Sequence, residues 1–284
     1  MMREPIEPKR LGKVISEETG LEFGAVTGVD GDGQRWYLLR PQGNPADYTF
    51  GIRTTLGWRR LQIQFEPGKF AAALLGDMGN ADADGRSAFH SVLKDCFSLG
   101  ATCKLEINGN SFPFDSDKVW TEKWNRIVLS MSKGQLELGT DQGDSDADII
   151  CEWTGRFTAA IIAILPMEES NDQAESEVVG YPEGAMTTVQ TNRYERDRRN
   201  RAAAIAIHGT TCNGCGLEMG TRYGSIAAGL IDIHHVTPVS KLAAGYIIDP
   251  KRDLVPLCPN CHAVVHRQVP PLTVNELRKL YKHD

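Results

Sequence analysis

Four cysteines and four histidines in the last third of the chain carry the residue types and spacings that chemistry requires. Cys212 and Cys215 in TCNGCG, and Cys258 and Cys261 in LCPNCH, form two Cys-x-x-Cys pairs. Such a turn sets two thiolates on one side of a tight loop, and two turns together close a tetrahedral zinc–sulfur site. Gly214, Gly216 and Pro259 suit knuckle geometry. A redox role is the weaker reading, because redox motifs rarely come as matched pairs. The four thiolates already satisfy a structural zinc, so His234 and His235 in DIHHV, and His262 and His266 in CHAVVH, are left for other work. His262 and His266 stand four apart and share a helix face, a spacing with which a helix can hold one divalent ion. Isolated histidines are usually structural, and His90, His208 and His283 are read that way.

The elements that must position these residues follow from local pattern. LIDIHHVTPVS reads as a strand ending at the two histidines and stopped by Pro238. DLVPLC reads as a second short strand, and PNCHAVVHRQV as a helix with Pro259 in its first turn. Strand, loop, strand and helix bring the His234–His235 pair against the face that carries His262 and His266. The zinc would tie the start of this small domain to its last helix, where the apolar core alone is slight. Upstream, TNRYERDRRNRAAAIAIHG reads as an arginine-rich helix ended by Gly209. Glu195/Arg199 and Asp197/Arg201 are spaced for pairing within the helix. The arginine excess nonetheless leaves Arg199 and Arg201 as candidates for phosphate contact.

These residues together resemble the HNH, or ββα-metal, endonuclease family. The matching positions are His234-His235, Asp253, His262 and His266, framed by CNGC and CPNC. NRYERDRRNRAAAIAIHGTTCNGCG, IDIHHVTPVS and DPKRDLVPLCPNCHAVVHR resemble most closely the McrA-like proteins of modification-dependent restriction. The resemblance covers about residues 190–268. It implies a zinc held by Cys212, Cys215, Cys258 and Cys261, and a second ion, Mg²⁺ or else Mn²⁺, Ni²⁺ or Co²⁺, held by His234, His262 and His266. His235 would be the general base that takes a proton from the attacking water. The ion would stabilise charge on the phosphorane and on the departing oxygen. Arg267, next to His266, is a candidate phosphate clamp or else a solvated surface residue. Asp253 stands where the family usually has Asn; it would orient His235 or join the metal shell. Asn260, between the last two cysteines, is the other candidate for the middle position and reads as packing in the knuckle.

The rest of the chain sets the frame. Its 284 residues carry a net charge of −6, distributed as −5 over residues 1–165, −6 over 166–190 and +5 over 191–284. Residues 166–190 are acidic, rich in Ser, Gly and Pro and without apolar periodicity, so a flexible linker is expected there. The expected architecture is therefore α+β throughout: an N-terminal mixed domain (1–165), the linker, and a C-terminal ββα-metal domain (191–284). In the first part FGAVTGVDGDGQRWYLLRP reads as a hairpin turning at 30–33, and RRLQIQFEP, ATCKLEING and WNRIVLSMS as strands. KFAAALLGDM, SAFHSVLKDCFSLG and DADIICEWTGRFTAAIIAIL read as helices. No stretch is long and apolar enough to span a membrane. With no apolar signal segment and two Cys-x-x-Cys pairs, a reducing, cytoplasmic setting is expected. Cys96, Cys103 and Cys151 read as small buried residues.

Nucleases of this kind read little sequence themselves, so residues 1–165 are expected to select the DNA. Trp36, Tyr37, Arg40, Arg53, Trp58, Arg59 and Arg60 interleave aromatic and basic character. Trp36, Trp58 and Arg59 could line a pocket that stacks a flipped or modified base. The plainer expectation is that Trp36 and Trp58 fill the core, as Trp120 and Trp124 should. The leading expectation is a DNA endonuclease of restriction type; double-strand cleavage would call for a homodimer or two binding events. The alternatives are a nuclease governed by a protein or small-molecule partner of the first domain, and a zinc-stabilised DNA-binding protein without catalysis.

Overall fold

A computed structural model describes residues 6–139, 145–166, 198–237, 246–268 and 270–281; the expected linker, Glu195, Asp197, Pro238 and His283 lie outside them but for residue 166. The chain is mixed α+β. The first hairpin forms where its turn residues require: β1 (Phe23–Val29) pairs antiparallel with β2 (Arg35–Pro41). Asp30 Oδ1 accepts hydrogen bonds from the backbone of Asp32 and Gln34, and Gly33 takes φ 79°. A glycine-rich Asx turn of this kind matches strand twist at little steric cost.

Five more strands complete an antiparallel sheet: β3 (Phe50–Gly57), β4 (Arg60–Pro67), β5 (Ala101–Ile107), β6 (Asn110–Phe112) and β7 (Ile127–Lys133). They run in the order β1-β2-β3-β4-β7-β5-β6. Alternation along the strands separates the faces. Ile52, Thr54 and Leu56 of β3 and Leu61, Ile63 and Phe65 of β4 are buried, while Arg53, Gln62 and Gln64 lie on the other face and are not. Onto the buried face pack α1 (Pro8–Thr19), α3 (Ala83–Ser98) and α4 (Asp146–Ala163), with α2 (Ala72–Gly79) leading into α3. Side-chain caps start the two longest helices: Asp82 accepts from Gly85 N at 2.7 Å, and Ser145 from Asp148 N at 3.2 Å. A hydroxyl pair, Thr54 with Thr154 at 2.9 Å, satisfies the polar atoms that join sheet to α4. Trp120 and Trp124 stack in this core at 5.3 Å, and Cys96 and Cys151 are buried, as expected. Among the described residues no helix is long and apolar enough to cross a membrane.

Neither Trp36 nor Trp58 fills the core. Trp36 is half-buried on the sheet's outer face, where its ring lies over Gly28 and under the Arg53 guanidinium at 4.4 Å. Trp58 occupies the β3–β4 turn and is 90% exposed. Alternation decides the first case: Tyr37 and Leu39 point inward, so Trp36 between strands' polar rows points outward.

The C-terminal part contains α5 (Arg198–His208), α6 (Met219–Tyr223), β8 (Asp232–His235), α7 (Pro250–Asp253), β9 (Leu254–Leu257), α8 (Pro259–Val265) and α9 (Val274–Leu280). β8 and β9 pair antiparallel, with His235 opposite Leu254 and His234 opposite Val255. A second core gathers Ile231, Ile233, Leu254, Leu257, Val265 and Leu277 around three of the cysteines. Helix α5 belongs to both cores. Ala202 and Ala203 join the first, Ala204 and Ile205 the second, and all four are buried. Alanine suits such a helix because a short side chain lets neighbours on both sides approach closely. Helix α3 reaches the same region from the other side. Ser87 Oγ donates to the Ile248 carbonyl at 2.9 Å, and Asp84 accepts from Ile248 N at 3.2 Å.

Candidate metal centres

The two Cys-x-x-Cys turns meet. Cys212, Cys215, Cys258 and Cys261 have their sulfur atoms within 4.8 Å of one another, with Cys215 and Cys258 at 3.8 Å. The first turn is pinned to β9 by Asn213 N donating to the Pro256 carbonyl, and Gly214 N donates to Cys212 Sγ at 3.3 Å. A Cβ at Gly214 would stand 2.8 Å from Leu277 Cδ2 and 3.0 Å from Cys261 Sγ, so glycine leaves the room the sulfurs need. The second turn caps α8, with Cys258 preceding Pro259 at the helix start.

The four thiols are electrostatically unequal. Burial opposes ionisation of Cys212, but the backbone N–H groups of Cys215, Cys258 and Gly214 favour its thiolate and bring its pKa to about 7. Cys258 and Cys261 are pushed up, by burial first and then by the neighbouring sulfurs. Four clustered thiolates repel unless a positive ion sits among them. The donor set, burial and spacing fit a four-cysteine structural metal such as zinc.

The second cluster is His234, His262 and His266, whose ligand-capable nitrogens also lie within 4.8 Å of one another. β8 supplies the first histidine and α8 the other two. Ring centroids stand 4.9–5.5 Å apart, with all three pairs edge to face. The cluster grades from inside to outside: His234 is buried, His262 half-buried and His266 exposed. Burial, then the rings of His262, His266 and His235, lower the His234 pKa to about 4, so it is neutral at physiological pH. Its Nδ1 is buried without a hydrogen-bond partner among the described residues. A neutral imidazole with a buried lone nitrogen is the form in which histidine serves as a ligand. The three imidazoles thus fit a single divalent ion, with the His266 side open to an incoming group.

Asp232 is the residue that sequence reasoning passed over. Its Oδ2 lies 3.3 Å from His262 Nδ1. A carboxylate there fixes the ring and leaves Nε2 as the nitrogen that can hold a metal. The signal was present in DIHH: Asp232 is two residues before His234 and shares its face of β8.

The remaining expected site residues separate from this cluster. Alternation sends His235 to the opposite face of β8 with Ile233, and His235 is 5% exposed. The Asp253 side chain is not part of the histidine cluster. Its Oδ2 accepts from Tyr246 Oη at 2.8 Å and from Asp249 N at 2.9 Å. Its backbone carbonyl accepts from Val236 N at 2.9 Å, so the residue ties the start of β9 to the end of β8 just after His235. Asn260 is exposed on α8, and Arg267 is exposed just beyond it. Arg199 and Arg201 are engaged inside the protein. Arg199 pairs with Asp82 at 2.9 Å, and Arg201 donates to the carbonyls of Ile231 at 2.6 Å and Gly229 at 3.2 Å. Arg201 therefore anchors the peptide leading into β8. A guanidinium held by peptide carbonyls is not available to phosphate. His208 Nε2 lies 3.1 Å from the Pro250 carbonyl, a structural role as expected.

No protein-family model, curated protein or solved structure matches the chain.

Proposed function

We propose that the protein is a metal-dependent DNA endonuclease, its last domain of the ββα-metal (HNH) type and its first part selecting the DNA. The observation that carries this reading is the histidine cluster: three imidazoles on a strand and a following helix, backed by Asp232 and open on one side. A separate four-cysteine cluster can hold a structural metal, which leaves the histidines for a working ion. His234, His262 and His266 hold the divalent ion. When bound, that ion supplies Lewis-acid stabilisation of charge on the phosphate and on the leaving oxygen. Asp232 keeps the His262 ring turned to its task. His235 is assigned the proton of the attacking water. It stands on the face of β8 opposite the ion's ligands, so the assignment requires the substrate to reach both faces at the end of the strand, where pairing with Leu254 and the Val236–Asp253 backbone bond fix the residue. At 5% exposure, this ring requires that access open when DNA binds. Imidazole donors favour Co²⁺ or Ni²⁺ over Mg²⁺ and Mn²⁺, whose preference is for oxygen.

The test is relaxation of supercoiled plasmid, unmodified and cytosine-modified, by wild type and His235→Ala with each metal in turn. Cleavage that needs the ion and disappears in the variant supports the proposal. Cleavage of modified DNA alone would assign selection of modified bases to the first part of the chain. A wild type that binds DNA but cleaves none with any metal would leave a zinc-stabilised DNA-binding protein.

A further inference from the structure

Trp58 has the highest exposure of any large apolar side chain among the described residues, 90%. It shares with Arg59 the two-residue turn whose ends pair Gly57 with Arg60. The turn is fixed in place. Leu136 N donates to the Arg59 carbonyl at 3.1 Å, and Arg59 Nε donates to the Leu136 carbonyl at 3.2 Å. Each of the two joined segments holds a non-glycine residue in the left-handed region, Arg59 at φ 52° and Gln135 at φ 60°. A positive φ is ordinary in a two-residue hairpin turn, and here it sets the direction in which the turn presents its side chains. Between the segments lies a concavity of about 550 Å³ lined by Gly57, Trp58, Arg59, Arg60, Gly134 and Gln135.

The chemistry of that lining is selective. It holds one large ring, two guanidinium groups and no carboxylate, in a stretch of chain whose net charge is −5. Trp and Arg also serve as anchors in protein–protein interfaces, so the experiment below reads self-association beside DNA affinity. Here a single ring stands among glycine backbone, an amide and arginines. Every nucleobase offers a π-face to such a ring, and the Arg60 guanidinium suits a neighbouring phosphate, while Arg59 is engaged with the Leu136 carbonyl.

We propose that the Trp58 turn is the DNA-contacting tip of the first domain, where Trp58 stacks on an unpaired or extruded base and Arg60 holds the flanking phosphate. This assignment rests on the reading of the protein as a DNA nuclease and narrows its selecting surface to one turn. Trp36 plays no part in it, since its ring is covered by Gly28 and Arg53.

The experiment measures binding of the full chain to a labelled duplex with one unpaired base and to its fully paired counterpart, without added catalytic metal. Trp58→Ala is expected to weaken binding to the first duplex by roughly 5- to 150-fold, with a smaller effect on the second. Trp58→Phe retains most of the affinity. Arg60→Ala weakens both and lowers the salt slope by about one. The thermal midpoint of Trp58→Ala stays at the wild-type value, because an exposed ring contributes little packing. Unchanged DNA affinity in Trp58→Ala overturns the assignment, as does unchanged affinity accompanied by loss of self-association, which would make the turn a protein contact. In either case wild-type cleavage survives and the nuclease reading with it. A wild type that binds neither duplex removes both.

Discussion

Asp95 offers a test of how firmly the two cores are joined. Its carboxylate, 10% exposed on α3, meets Arg156 Nη1 of α4 at 2.9 Å and Lys251 Nζ of α7 at 2.6 Å. The three ends of this cluster belong to the first core and to the turn that feeds β9. Asp95→Ala would leave the Arg156 guanidinium, 13% exposed, with Glu152 at 3.0 Å as its remaining direct ion pair among the described residues. Removing one partner of a buried pair costs about 3–5 kcal/mol. Glu152 is 46% exposed and survives as a partner, so the lower end, ~3 kcal/mol, applies here. Lys251 is 55% exposed, and its replacement by Ala should cost less than about 1 kcal/mol. Urea unfolding of Asp95→Ala, Lys251→Ala and the double variant gives the energies and their coupling. Native-state hydrogen exchange should show the amides of β9 opening more readily in Asp95→Ala. A cost below about 1 kcal/mol for Asp95→Ala, or one no larger than that of Lys251→Ala, would refute the argument.

Three further expectations follow from single sites. Burial raises the Glu18 carboxyl to about 7 from the ordinary 4.5, against the pull of Arg156. Between those values the folded state binds more protons than the unfolded one, so this residue makes stability fall as pH rises from 4.5 to 7. Glu18→Gln should therefore stabilise the protein at pH 8 and change little at pH 4, as read from thermal midpoints at the two values. Gly85→Ala would place a methyl 2.4 Å from the Ala163 carbonyl oxygen. Despite alanine's higher helix propensity it should destabilise by roughly 1–3 kcal/mol, seen in urea unfolding, because α3 and α4 must part. Treatment with a thiol-specific mercurial should release a single equivalent of zinc, measured with a colorimetric chelator, and expose the second core to protease while α3 and α4 remain protected.

The candidate metal-ligating residues were legible because their signal is local. Cys-x-x-Cys fixes two sulfurs whatever the fold, and His262 and His266 share a helix face by spacing alone. The first hairpin and helices α3 and α4 were legible for the same reason, through turn residues and apolar period. Strand β3 was hidden: GIRTTLG buries Thr54 and a glycine among few apolar residues, and its role appears only once β2 and β4 flank it. Helix α1 was also missed, since Glu7 before it makes no side-chain cap and only Pro8 and the Leu11–Ile15 spacing mark it. Long-range partners were not readable at all. Arg199 and Arg201 look like a phosphate-binding excess until Asp82 and the carbonyls of Gly229 and Ile231 meet them. Trp58 looks like core until the β3–β4 register puts it in a turn. Asp253 likewise chooses between the histidines and its own loop by geometry that the sequence does not carry.

The most direct test of the account is a titration of Co²⁺ into the zinc-loaded protein, following visible absorption and plasmid relaxation in the same samples. One further equivalent should bind with the weak bands of nitrogen and oxygen ligation, cleavage should saturate at that equivalent, and His262→Ala should lose both signals while keeping its zinc. Cleavage that persists in His262→Ala, or Co²⁺ that binds beside the histidines without any DNA being cut, would contradict it.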